Sequence, residues 1–334
     1  LPLPPKRAKI LPMTKKPTRS TADKRAASVS AGLDDLEAWL RDLAQRGLSA
    51  FTVKDWEMVA ARLTDAKAGE MARHIRIALN DIHKATPTVA NERLMAEAGR
   101  LWLLVQAYRR IDSLPPGLAA DVRTAIGWAE DQKALAERPG LQDRWWVGGI
   151  VYEVVEKTLK MRRTWLVGQQ TGRYACLIDY KFGAQAYKAY YPANTCIDGE
   201  LVYFPSATPT RAILKIPYGP PTFRPEVALP KVAATFRDAL HPYAAALGEN
   251  PFLRGWPFAI RDVIFNDATA PKQWTVHDAN GMGIPLVQDL GMPGWRLMAV
   301  SGGYPVTLLG EWDGSQLWPL AIESQGKWVC LDYD

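Results

Sequence analysis

The sequence predicts an α+β protein: an N-terminal antiparallel helical bundle, then an antiparallel β-rich domain that carries one inserted helix. Three observations lead there. Apolar residues recur at spacings of three and four up to about residue 138 and alternate beyond it. Arg138, Pro139 and Gly140 mark the change of period. Glycine-bearing turns then punctuate short runs rich in β-branched and aromatic residues. With 334 residues, 48% hydrophobic and 23% charged, the chain has a globular balance and the length for two domains. The expected organisation is a basic flexible arm over residues 1–31, a helical domain over 32–138 and a β-rich domain over 141–334, with a sub-boundary placed near 220–255.

The first helix is expected from Leu33, with Leu36, Trp39, Leu40 and Leu43 on one face, Asp34 and Asp35 in its first turn, and Gly47 just past its end. Thr52 and Asp55 have the spacing of a capping box ahead of a second helix bearing Trp56, Val59, Ala60 and Leu63. Met71, Ala72, Ile75, Leu79 and Ile82 mark a third. The fourth, about 88–112, carries a wide apolar stripe through Leu94, Ala98, Leu101, Leu104 and Tyr108, and shorter helices run to about Glu137. Strands are expected near 145–155, 164–167, 174–180 and 201–204, and a meander over 295–300, 305–312, 316–322 and 327–331. Turns are expected at Gly172, Gly199, Gly281, Gly303, Gly314 and Gly326, and the inserted helix near 230–247.

Charge is concentrated at the start. Residues 1–31 hold eight basic side chains against one acid, Asp23, and the rest of the chain is close to neutral. Five prolines there disfavour regular structure, although 20–29 suits a short frayed helix. Lys15, Lys16, Arg19, Lys24 and Arg25 are the candidate nucleic-acid contacts, since cations on a flexible tail neutralise phosphates and release counterions. No apolar run approaches the length of a membrane span, and no export signal is recognisable. Cys176, Cys196 and Cys330 lack metal or redox spacing and are expected as buried thiols in a reducing cytoplasm. The chain starts at Leu1, so a processed or truncated form is expected.

The sequence carries few motifs of known chemistry. Gly281-Met-Gly283 lacks the helix and Lys-Ser/Thr pair of a phosphate loop, and no G-x-S-x-G is present. The four histidines share no ligand spacing; His277 is the one with a conceivable acid–base role, beside Asp179 or Cys176. Catalytic, cofactor and metal residues are therefore expected to be none. The candidate interface comprises Trp145 and Trp146, whose rings must point to opposite faces of a strand, and Arg162 and Arg163, which do the same.

Four segments carry a family resemblance: Gly32-Leu-Asp-Asp-Leu-Glu-Ala-Trp-Leu-Arg41, Leu101-Trp-Leu-Leu with Ala107-Tyr-Arg-Arg110, Arg162-Arg-Thr-Trp-Leu166, and Gly310-Glu-Trp-Asp-Gly314. In order and spacing, over most of residues 20–325, they resemble the region that follows the zinc finger in bacterial SWIM zinc-finger family proteins. The family's CxC…CxH finger has no counterpart here, so zinc is expected only if a finger lies upstream. The resemblance implies a non-enzymatic accessory or adaptor that mediates protein–protein interaction. Its implied partners are MoxR-type AAA+ ATPases and von Willebrand A-domain proteins. The alternatives are a nucleic-acid-binding accessory that uses the arm, and an uncharacterised hydrolase.

Overall fold

The computed structural model describes residues 19–82, 87–128, 130–155, 158–268, 273–287 and 290–331. The chain forms two compact units, 1–98 and 99–334, with the boundary falling inside the fourth helix. An N-terminal helical region extends to about residue 126, and an antiparallel β-rich region with an inserted helix follows. Among the described residues no helix is long and apolar enough to cross a membrane.

In the first unit, helix α1 (Arg19–Arg46) starts earlier than its apolar stripe. The second part of the expected arm is its opening, which places Asp34 and Asp35 mid-helix rather than in the first turn. Ser20 to Ser30 is rich in alanine and free of proline, so nothing stops the helix from extending backwards. Leu33, Leu36, Leu40 and Leu43 are buried, and Gly47 ends the helix at φ 79°, its N–H bonded to Leu43 O. Helix α2 (Val53–Asp65) opens on the Thr52/Asp55 capping box, in which Thr52 N–H donates to Asp55 Oδ2 at 2.7 Å. Helix α3 (Gly69–Ile82) buries Met71, Ala72, Ile75 and Leu79. Gly32 lies so close to Ala66 that a Cβ there would stand 2.3 Å from the alanine's own. Helix α4 (Pro87–Arg109) crosses into the second unit, where α5 (Pro116–Ile126) and α6 (Gln132–Ala136) follow.

The β-rich part contains two barrels in series. Strands β1 (Leu141–Val154), β2 (Leu159–Gly168), β3 (Tyr174–Phe182), β4 (Thr195–Tyr203) and β5 (Arg211–Pro217) form the first, and β6 (Thr222–Phe223) pairs with the start of β4. Neighbours run β1–β2–β3–β5–β4 and back to β1. All pairs are antiparallel except β3–β5, which meet at Cys176–Arg211 and Leu177–Ala212. This strand order is that of the OB fold, a five-stranded Greek-key barrel. After helix α7 (Phe236–Glu249) come β7 (Trp256–Ala268), β8 (Gln273–His277), β9 (Gly283–Pro285), helix α8 (Gly291–Ser301), β10 (Val306–Trp312), β11 (Leu317–Ser324) and β12 (Lys327–Cys330). Here β7 pairs with β8 and β10, β8 with β9, and β10 with β11, and a parallel bridge at Leu286–Leu317 closes the circuit. The second barrel thus repeats the strand order of the first, and α8 occupies the connection between its third and fourth strands.

Two expectations fail here. The segment 295–300 is helix, not strand: α8 ends at Gly302 with φ 60°, and Leu297 points into the second barrel's core. Gly199 is inside β4 rather than at a turn, where a Cβ would meet Ile216 O at 2.8 Å.

Three apolar clusters divide the β-rich part. Trp145, Val147, Ile150, Leu166, Leu177 and Ile197 belong to the first barrel. Phe258, Ile260, Phe265, Leu286, Leu308 and Ile322 fill the second, with Phe236 of α7 packed on it. Between them, Trp146, Val151, Trp165, Val167 and Cys176 on the outer face of the first barrel meet Leu309, Leu320, Trp328 and Cys330 of the second.

Candidate functional site

Alternation along β1 sends Trp145 and Trp146 to opposite faces, and both are covered. Trp145 is inside the first barrel, its indole N–H donating to Gly199 O at 3.1 Å. Trp146 lies between the barrels, 5.1 Å from the Trp328 ring. The candidate interface role of these two rings is therefore corrected: a second barrel covers the face that the sequence left open, and neither ring is exposed.

Arg162 and Arg163 are also on opposite faces. Arg162, 1% exposed, lies at one end of the first barrel. It donates to Asp179 and to Ala189 O, and its guanidinium stands over the Tyr187 ring at 4.4 Å. Arg163 faces the second barrel, donating to Glu153 at 2.5 Å and to Glu311 Oε2 at 3.2 Å. The same Glu311 oxygen accepts the Trp165 indole N–H at 2.6 Å. Burial opposes the Arg163 charge, but Glu311 and Glu153 outweigh it and hold the guanidinium above its ordinary value. Both arginines are therefore internal anchors, not exposed contacts.

Cys176 lies near Glu311 and Arg163, but burial and then the Glu311 charge push its thiol well above the ordinary range. A thiol so held is a poor nucleophile. His277 is on β8, beside Ile264 and Gly283, and its Nε2 is 3.1 Å from Thr275 Oγ1. The fold brings it to neither Asp179 nor Cys176; its strand belongs to the other barrel. An open hollow at the end of α8, lined by Asp262, Ser301, Tyr304 and Glu323 among others, includes neither residue. Among the described residues no group of three His, Cys, Asp or Glu side chains is arranged to hold a metal.

Other acids close the chain on itself. Asp143 accepts from Gln170 N, Thr171 N and Thr171 Oγ1 and so fixes the β2–β3 turn. Asp278 accepts from Asn280 N, Met282 N and Phe236 N, tying the β8–β9 turn to α7. Of the arm candidates, Lys15 and Lys16 lie outside the described residues, Arg19 begins α1, and Lys24 and Arg25 are exposed on it.

Sequence reasoning missed the aromatic residues that are exposed. Trp295 is 61% exposed on α8, edge-on to Trp274 at 5.5 Å, and Tyr304 just beyond the helix is 75% exposed. Reading 295–300 as a strand hid Trp295, although helical spacing would have separated it from the inward-facing Leu297.

Comparison with family models matches residues 24–126 to the SWIM-associated four-helix bundle domain. Residues 24–126 are thus similar to a SWIM-associated bundle. That match supports the resemblance of this helical region to the C-terminal region of a SWIM-family protein. In the SWIM-associated bundle, Trp39 packs edge-on against both Phe51 and Trp56, at 5.4 and 4.8 Å. Searches of curated proteins and of solved structures return no match.

Proposed function

We propose that the chain is a non-enzymatic accessory or adaptor subunit that works by docking to protein. The observation that carries this reading is two exposed aromatic side chains, Trp295 on α8 and Tyr304 just beyond the helix. Trp295 is held in place by Trp274 and yet leaves most of its ring to solvent. A rigid exposed aromatic is what interface anchors require, because little side-chain entropy is lost when it is buried. The buried polar groups support the same reading, since Glu311, Arg163, Asp143 and Asp278 are engaged in holding elements together. The partners proposed from the family resemblance are a MoxR-type AAA+ ATPase or a von Willebrand A-domain protein. Co-purification of the chain with such a partner tests this. Trp295→Ala with Tyr304→Ala should weaken the complex by about tenfold or more; a complex equally tight in the double variant contradicts the assignment.

A second reading, nucleic-acid binding by the N-terminal cations, has one observation in its favour. Arg19 lies in the first turn of α1 and Lys24 and Arg25 in its second, and the first turn carries no acid. The helix dipole favours negative charge there, which a phosphate would supply.

A further inference from the structure

The hollow at the end of α8 has a volume of about 490 Å³, within the range of sites that hold a ligand or a long side chain. Its charge is one-sided. Asp262 and Glu323 supply two carboxylates, and no Lys, Arg or His is among the described residues that line it. Residues 299–302 bring the C-terminal end of α8 to the same hollow. The last carbonyls of a helix carry the negative end of its dipole. That end is fixed in place: Gly302 N–H donates to Met298 O at 2.9 Å, Tyr304 N–H to Ser301 O at 3.0 Å, and Gly303 N–H to Ser301 Oγ at 3.3 Å. Tyr304 completes the lining with a mostly exposed ring, whose negative face attracts cations. Carboxylates, helix end and ring all favour a positive guest.

The chain's own cations meet this demand weakly. Arg261 Nε stands 3.9 Å from Asp262 Oδ2 with both side chains 61% exposed, a loose surface pair that a competing cation can displace. Arg296, on α8, does not line the hollow. Glu323 Oε1 accepts Gly326 N–H at 2.7 Å, and one accepted bond does not exhaust a carboxylate. Position ties the hollow to the docking residue of α8. Trp295 and Ala299 are four residues apart, hence neighbours on one helix face, about 6 Å apart along the axis. Ala299 lines the hollow, so a surface that covers the Trp295 ring meets the hollow beside it.

We propose that this hollow receives a lysine or arginine side chain of the docking partner, with Asp262 and Glu323 holding its charge and Tyr304 packing on its face. This rests on the docking role of Trp295 and adds the chemistry of the partner, a protein surface that presents a basic side chain next to an apolar contact for the Trp295 ring.

Fluorescence anisotropy of the full chain with a labelled Gly-Arg repeat octapeptide, over a salt series, tests the hollow without the partner; a Gly-Gln octapeptide is the control. The formal net charge of +6 opposes non-specific capture of a cationic peptide. Asp262→Asn with Glu323→Gln should weaken binding of the arginine peptide by about tenfold or more and flatten its salt dependence. Both replacements keep side-chain size, asparagine tolerates the φ of 57° at position 262, and glutamine still accepts from Gly326 N–H, so the fold is retained. Tyr304→Ala should weaken binding by about twofold to fivefold. The proposal is overturned by a wild type that binds neither peptide at low salt, by equal binding of the glutamine peptide, or by unaltered affinity in the carboxylate variant. Self-association that the carboxylate variant abolishes, without peptide binding, assigns the hollow to a second copy and also overturns it. In the partner complex, sensitivity to Trp295→Ala without sensitivity to the carboxylate variant overturns this proposal and leaves the docking role intact.

Discussion

Glu311 has little exposure between the two barrels, where a single oxygen accepts from both the Trp165 indole and the Arg163 guanidinium. Truncating it leaves the Trp165 indole N–H without this acceptor and Arg163 with Glu153 as its remaining acid. Glu311→Ala should cost about 2–4 kcal/mol in urea unfolding. Glu311→Gln, which keeps an acceptor for Trp165, should cost about 1–3 kcal/mol. Equal stability of both variants with the wild type would show that the pair carries no structural weight. At this scale the sequence was legible in direction but not in destination. Alternation along a strand sends Trp145 and Trp146, and likewise Arg162 and Arg163, to opposite faces. What covers each face depends on residues far along the chain, such as Trp328 for Trp146 and Glu311 for Arg163. Local pattern carries no information about such partners.

Helix boundaries show where local chemistry suffices. The Thr52/Asp55 capping box is written in four adjacent residues and forms as that spacing dictates. Hydrogen bonds from Thr52 depress the Asp55 pKa below 3.8, its ordinary value. A carboxylate depressed in the folded state adds stability above its unfolded pKa and loses it as pH falls through the folded one. Thermal melts from neutral pH down to about 3 should therefore show the wild type's advantage over Asp55→Ala fading below about pH 4. A constant difference across that range would mean the side chain acts by packing instead. The α8 segment shows where local reading fails. Trp-Arg-Leu-Met-Ala-Val satisfies β propensity through its ends and helix propensity through its middle. Placement over the second barrel decides in favour of helix, with Leu297 as the buried contact. The early start of α1 has a similar cause, since the polar, alanine-rich stretch before Leu33 has helix propensity but no apolar face to announce it.

Across the whole molecule, the division into a helical part and an antiparallel β-rich part was legible, because the apolar period changes from about 3.6 to 2. The doubled barrel was not. Its two copies share strand order but differ in strand length and in what joins the third strand to the fourth, a loop in one and α8 in the other. No sequence period exposes a repeat of that kind. The parallel contacts that close each barrel involve only one or two residue pairs, too few to leave a pattern. Closure leaves the first barrel with an apolar outer face, Trp146, Val151, Trp165, Val167 and Cys176, which the second barrel covers. The two should therefore fold as one body. The most direct measurement is to express residues 138–230 alone and compare them with 138–334. The shared core predicts that the single barrel binds a hydrophobic dye and lacks a cooperative thermal transition, while the longer piece melts sharply. A cooperative melt of the isolated barrel, with no dye binding, would contradict it.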